Sequence, residues 1–185
     1  QVVVSVNSSV PTISEPSVSV TLYQGLPKSD KMDSVVQKAV EMGVTHIVPM
    51  LTQRCVSRPD QKSAQKKVER WQKISVEAAK QCGRGILPPV SPVTDFSVAL
   101  RQAASESTIL FFYEGGGQSL QQCIDPSCKA YSIFIGPEGG FSEEEVQFAL
   151  DLGAKKATLG PRILRTETAP IAALTAIMLT TGNMT

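Results

Sequence analysis

From Val18 onward, short β-branched or aromatic runs alternate with longer stretches carrying apolar residues at helical spacing, and this rhythm restricts the fold more than any other feature. Such alternation leaves little room for hairpins. Each strand returns by a crossover to lie parallel to its neighbour, which predicts an α/β protein: a parallel sheet with helices on both faces. The expected strands are Val18–Tyr23, Thr45–Leu51, a weak one at Pro88–Val93, Thr108–Tyr113, Tyr131–Ile135 and Lys156–Leu159. The expected helices are Asp30–Met42, stopped by Gly43, and Ser63–Cys82, closed by Gly83. Three more follow: Asp95–Ala104 capped by Asp95, one opened by the capping box of Ser142 and Glu145, and Thr168–Thr181 with Pro170 in its first turn. Residues 1–16 read as β-type alternation broken by Asn7-Ser8-Ser9 and by Pro11 and Pro16. They suit the end of a small β domain and a linker, leaving 17–185 as the α/β domain.

Composition removes several classes. Lys plus Arg is 18 against 17 Asp plus Glu, a net charge of +1, which suits neither a polybasic tail nor an acidic disordered chain. No apolar run approaches the roughly 20 residues of a membrane helix, so no membrane partner is expected. The opening Gln1, with no leader pattern behind it, suggests a trimmed N-terminus. Cys55, Cys82, Cys123 and Cys128 form no Cys-x-x-Cys pair, and the single histidine, His46, sits in an apolar strand run. Neither a structural zinc site nor a Ser-His-Asp triad has its parts, and no metal is expected. Reduced thiols fit a cytosolic-type compartment, with a Cys123–Cys128 disulfide as the alternative. Trp71 shares the apolar face of its helix with Val68, Ser75, Ala78 and Cys82 and reads as core.

Loops that follow parallel strands emerge on one edge of the sheet, where open α/β proteins bind ligands. Three of them here are glycine-rich: Glu114-Gly115-Gly116-Gly117, Gly136-Pro137-Glu138-Gly139-Gly140, and Gly160-Pro161-Arg162-Ile163-Leu164-Arg165. Neither a P-loop nor a Gly-x-Gly-x-x-Gly fingerprint is present. Apolar, backbone-rich loops whose only basic residues are Arg162 and Arg165 suit an adenosine held by main-chain groups better than a triphosphate.

The stretch Ile135-Gly136-Pro137-Glu138-Gly139-Gly140-Phe141-Ser142-Glu143-Glu144-Glu145, followed by Leu159-Gly160-Pro161-Arg162-Ile163-Leu164-Arg165-Thr166-Glu167-Thr168-Ala169, resembles the RsmE family. These are small-subunit ribosomal RNA uridine N3-methyltransferases of the SPOUT superfamily. Lys38–Val44 and Glu77–Arg84 agree with it, and the resemblance covers about residues 18–182. It implies a SPOUT-type fold whose C-terminal segment forms a trefoil knot, S-adenosyl-L-methionine as cofactor, and a homodimer. It also implies an N-terminal PUA-like β-barrel, of which residues 1–16 would be a remnant. The implied partner is small-subunit (16S-type) ribosomal RNA or the assembled subunit. The implied setting is cytoplasmic, or an organelle stroma or matrix in a eukaryote.

By the same resemblance the cofactor would be held by Glu114, Gly115, Gly116, Ile135, Gly136, Pro137, Glu138, Gly139, Gly140, Leu159, Gly160, Arg162, Ile163, Leu164, Thr168 and Ala169. Gly139, Gly140 and Gly160 would be glycine because a Cβ would collide with it. Glu138 either contacts the ligand or orients a loop. Uridine N3 becomes nucleophilic only once its proton leaves, so an arginine facing O2 or O4 would stabilise the anion, and a carboxylate or water would take the proton. Arg165 and Glu167 are the nearest candidates, with Arg84 and Gln81 on the second helix behind them; an Arg165–Glu167 ion pair that merely fixes the loop is the alternative. Between Arg54 and Arg84, nine basic residues face three acidic ones, so this stretch carries +6 and the rest of the chain −5. Arg54, Arg58, Lys66, Lys67, Arg70, Lys73 and Arg84 are accordingly the candidate RNA contacts, set against a solvated helix face. The competing functions are a SPOUT methyltransferase acting on a ribose 2′-hydroxyl or another base, and a catalytically silent RNA-binding domain.

Overall fold

The computed structural model describes residues 2–8 and 12–184. In chain order the elements are β1 (Ser19–Gly25), α1 (Lys31–Glu41), β2 (His46–Leu51), α2 (Gln61–Gln81), β3 (Thr94–Asp95), α3 (Phe96–Glu106), β4 (Thr108–Phe112), β5 (Gln118–Ser119), α4 (Leu120–Cys123), β6 (Ala130–Ile135), α5 (Glu143–Asp151), β7 (Lys155–Thr158) and α6 (Ala169–Thr180). The strands form one sheet in the order β3-β2-β1-β6-β4-β7-β5. Every pairing in it is parallel, as the alternation requires.

Side-chain alternation along the strands feeds two separate cores. Val20, Leu22, Leu110, Phe112, Ile133 and Ile135 point into one, where α1, α2 and α6 supply Met32, Val36, Val40, Trp71, Ala78, Leu174 and Ile177. Tyr23, Met50, Phe111 and Phe134 point into the other, covered by Phe96 and Leu100 of α3, Phe141, and Val146 and Ala149 of α5. The second core is aromatic: Tyr23 stacks on Phe134 at 4.4 Å between centroids, and Phe111 lies 4.3 Å from Phe141. Burying each such side chain is worth roughly 1.5–3 kcal/mol, so the strand ends at the ligand edge are held rigidly from both faces.

Several local expectations shift. The second helix begins at Gln61 rather than Ser63, because Asp60 caps it by accepting from the Ser63 N–H at 2.8 Å. Asp95 stands at the N-cap of α3 but its side chain makes no capping bond. The weak strand at Pro88–Val93 shrinks to one bridge, Val90 to Ile47, because prolines remove the ladder donors on either side; pairing resumes at β3. The short β5 and α4 lie in a polar stretch with no periodicity to announce them. Cys123 and Cys128 are free thiols, so the disulfide alternative falls away. His46 bonds Ser91 through Nε2 at 2.7 Å, and burial lowers its pKa.

Residues 2–8 carry no regular structure, and Val2, Val3, Val4 and Val6 are exposed. Residues 14 and 15, by contrast, belong with the α/β body. Ser14 Oγ donates to the Gly83 carbonyl at 2.8 Å, and Glu15 forms a buried ion pair with Arg84 at 2.7 Å.

Candidate active site

The three glycine-rich loops meet in one cleft of about 800 Å³ at the C-terminal edge of the sheet. The β4–β5 loop brings Tyr113, Glu114, Gly116 and Gly117, the β6–α5 loop Gly136 to Phe141, and the β7–α6 loop Leu159 to Thr166. Phe112, Ile135 and Ala157, at the ends of their strands, give the floor an apolar lining. That mix of apolar walls, few side-chain charges and backbone-rich loops is what a small-molecule pocket of this size uses.

Sequence chemistry explains how tightly the β6–α5 loop can turn. Gly140 closes a turn by donating to the Pro137 carbonyl at 2.9 Å, with φ +66°, a conformation costly for any residue with a Cβ. A Cβ there would lie 2.6 Å from the Glu114 carboxylate. Immediately after, the capping box forms as expected: Ser142 Oγ accepts from the Glu145 N–H, and the Glu145 carboxylate accepts from the Ser142 N–H at 2.9 Å. The buried Glu145 also accepts from the Gln53 N–H at 2.8 Å, fixing the β2–α2 loop beside the cleft.

One cation ties the edge together. Lys31, at the start of α1, lies 2.9 Å from Glu138 and 3.3 Å from Glu167. Glu138 also accepts from the Lys28 N–H through both oxygens at 3.2 Å. The Glu138 hydrogen bond raises the Lys31 pKa above its ordinary value; desolvation opposes it, and the Glu167 bond and the two carboxylate charges keep the net shift upward. For Glu138, desolvation pushes the carboxyl up, but Lys31 and the Lys28 N–H together outweigh it and the net shift is downward. Glu138 therefore engages the β1–α1 loop while also lining the cleft, a position that serves either of the two roles expected of it.

Of the residues expected at the cofactor, Glu114, Gly116, Ile135, Gly136, Pro137, Glu138, Gly139, Gly140, Leu159, Gly160, Arg162, Ile163, Leu164 and Ala169 line this cleft, whereas Gly115 and Thr168 do not. The steric reasons expected for two glycines differ. A Cβ on Gly139 would meet Arg54 Cβ at 3.0 Å and one on Gly140 the Glu114 carboxylate, so both are crowded by protein. At Gly116 and Gly160, a Cβ would find nothing within 4 Å, so these two leave the cradle open.

Arg165 lines the cleft, and Glu167 follows it with its carboxylate engaged by Lys31 rather than by Arg165. Gln81 and Arg84 do not approach. They end α2, and in a parallel α/β unit a helix runs back along its strand, which leaves its C-terminus at the edge opposite the cleft. The Arg84 side chain is 3% exposed and is consumed by Glu15 and the carbonyls of Val40 and Val44, so neither catalysis nor a phosphate contact is open to it. The basic stretch is thinned further. Arg58 donates to the Thr52 and Gln53 carbonyls, and Arg70 pairs with Asp30 and Asp33. Arg54 donates to the Gly139 carbonyl at 3.1 Å, with Glu114 4.0 Å away. Among the described residues, Lys62, Lys66, Lys67 and Lys73 of α2 make no ion pair, and Trp71 is buried behind them. Sequence reasoning missed Lys31, Tyr113 and Thr166 as lining residues. The parallel order itself was the available signal for Lys31, since the loop after β1 must emerge on the same edge.

Comparison with known proteins agrees with this architecture. Residues 14–178 match the RNA methyltransferase domain family. The ribosomal RNA small subunit methyltransferase E of Bacillus subtilis is 38% identical over 167 residues, covering 86% of this chain and 65% of its own length. That of Aquifex aeolicus is 34% identical, covering 88% and 69%. The crystal structure of the Neisseria gonorrhoeae enzyme of that name, bound to S-adenosyl methionine, superposes with a TM-score of 0.82 at 41% identity, covering 89% of this chain and 67% of that one. The chain thus spans about two thirds of the length of the relatives it matches. The sheet order, the loop cradle and these identities together place the chain in the RNA methyltransferase domain family and, within it, in the ribosomal RNA small subunit methyltransferase E family.

Proposed function

We propose that the chain is the catalytic part of an S-adenosylmethionine-dependent methyltransferase acting on uridine N3 of small-subunit ribosomal RNA. The observation that carries this reading is the convergence of the three glycine-rich loops on one cleft with Arg165 in its wall. The residues fit the cofactor: the floor is apolar, the cradle is open at Gly116 and Gly160, and the Neisseria relative holds S-adenosyl methionine on the same fold. Glu114, Gly136 to Gly140 and Leu159 to Leu164 would hold it, and when bound it supplies an electrophilic methyl group on a sulfonium.

The chain's own residues have three tasks. The loops position the reacting centre and exclude water, which lowers the entropic barrier to in-line displacement. Arg165 presents its planar fork to uridine O2 or O4 and stabilises the anion left when the N3 proton departs. That proton goes to Glu167 or to water at the cleft mouth. Lys31 keeps Glu167 and Glu138 in place and so holds two of the loops in register. The exposed lysines 62, 66 and 73 of α2 supply phosphate contacts. A homodimer belongs to the same reading, and the exposed Val2, Val3, Val4 and Val6 suit a strand of a small β unit. The knot implied by the resemblance and a cytoplasmic setting belong to the same proposal. No helix is long and apolar enough to cross a membrane, and no group of three metal-ligating side chains occurs among the described residues.

Titration calorimetry of the folded protein against S-adenosylmethionine and S-adenosylhomocysteine, with chelator present, tests the reading. Stoichiometric heat with both ligands is the expected result. No heat with either removes the assignment.

A further inference from the structure

One fully buried polar side chain has no part in the chemistry described so far. Gln24, near the end of β1, donates from Nε2 to the Gly25 carbonyl and to Thr166 Oγ1, both at 3.0 Å. Thr166 Oγ1 donates in turn to the Gly136 carbonyl at 2.7 Å. Carbonyls only accept, so the Thr166 hydroxyl gives its one proton to Gly136 and must accept from Gln24, which fixes the orientation of the amide. The cost shows at the other end: Gln24 Oε1 is buried with no partner among the described residues. A side chain kept for stability alone would be better replaced by an apolar one of similar shape, whereas unsatisfied groups persist where a site needs the geometry they enforce.

What this chain of bonds holds is the β7–α6 loop. From Pro161 to Thr168, Thr166 is the only buried residue, and Arg162, Ile163 and Arg165 stand exposed around it. The carbonyl it grips belongs to Gly136, the first residue of the β6–α5 loop. We propose that Thr166, aimed by Gln24, is a positioning residue that locks the β7–α6 loop to the β6–α5 loop, so that Arg165 and the two halves of the cradle keep one register. The inference rests on the cleft being the cofactor site.

Three variants test it: Thr166→Val, which keeps the shape and removes the hydroxyl, Thr166→Ser, which restores it, and Gln24→Met. Two readouts are used on each. The first is amide exchange in the ligand-free protein at Gly140, Thr168 and Ala169, whose N–H groups bond the Pro137 and Arg165 carbonyls. The second is affinity for S-adenosylhomocysteine by calorimetry. Thr166→Val is expected to speed exchange at these amides and to weaken affinity, each by about tenfold or more, and Thr166→Ser to return both to near wild type. Gln24→Met should act in the same direction, and the double variant should be no worse than Thr166→Val, because the two residues act in series. If Thr166→Val does not fold, Gln24→Met, which leaves the hydroxyl in place, decides the same point. A lower melting temperature with unchanged exchange and affinity overturns the proposal and leaves a merely structural role. Wild-type protein that binds no S-adenosylhomocysteine is a failure of the cofactor reading instead, visible before any variant is compared, and the exchange readout alone then decides whether Thr166 couples the loops.

Discussion

At the scale of single residues, the cleft separates groups that the sequence could only place side by side. Arg165 and Glu167 lie two apart and invite a pairing, yet Glu167 lies 3.3 Å from Lys31, and among the described residues Arg165 makes no ion pair. Arg165→Lys keeps the charge and loses the fork. It is expected to cut single-turnover methylation by roughly two orders of magnitude, the usual effect of losing an anion-stabilising donor. Cofactor affinity, titrated on the same variant, should change little; normal turnover would remove Arg165 from the mechanism. Gly140→Ala forces a Cβ onto a residue at φ +66° and against the Glu114 carboxylate. The expected loss is about 1–2 kcal/mol, read as a melting temperature lower by several degrees, with weakened cofactor binding as Glu114 moves. Gly139→Val would strike Arg54 Cβ at 3.0 Å and the Arg54 carbonyl at 3.2 Å, so its effect runs through the β2–α2 loop as well as through the cradle.

At the scale of elements, periodicity found nearly every long helix and strand, because each buries a continuous face in one of two cores. The glycine loops were legible as a site because a parallel sheet delivers all its outgoing loops to one edge. Arg84 and Gln81 were misplaced for lack of the same reasoning applied to helix C-termini. Thr166 and Gln24 were invisible because their bond spans 142 positions. The Glu15–Arg84 clasp, which spans 69, was equally beyond reach and yields a pH prediction. Burial pushes the Glu15 carboxyl up, but the Arg84 side chain, its charge, and the Gly85 and Ile86 N–H groups outweigh it, and the net shift is downward. A carboxyl with a depressed folded-state pKa contributes stability that is present above its ordinary value of 4.5 and lost as pH falls through the lower folded value. Thermal melts from pH 6 downward should therefore show a steeper acid loss for the wild type than for Glu15→Gln, which starts less stable. Parallel curves would mean the clasp contributes nothing. Lys31→Met, which removes the cation shared by Glu138 and Glu167, is expected to raise the KM for the cofactor several-fold while the melting temperature falls only slightly, since the pair is partly solvated.

At the scale of the molecule, charge is arranged so that the near-neutral total hides a division of labour. At the cleft edge Lys31 holds Glu138 and Glu167 and Arg54 lies near Glu114, while Lys62, Lys66, Lys67 and Lys73 of α2 make no ion pair among the described residues. Affinity for ribosomal RNA fragments should fall steeply with salt, and Lys66→Glu with Lys73→Glu should flatten the slope by roughly 0.7–0.9 for each phosphate no longer neutralised. An unchanged slope would assign RNA binding to another surface. The central claim, that this cleft and Arg165 methylate N3 of a uridine in small-subunit ribosomal RNA, is tested most directly on cellular RNA. Mass spectrometry of nucleosides from purified small-subunit RNA, compared between cells with and without the gene for this protein, should show 3-methyluridine lost in the second and regained when the wild-type protein, but not Arg165→Lys, is returned. Undiminished 3-methyluridine, or loss of a 2′-O-methyl nucleoside in its place, would contradict the account.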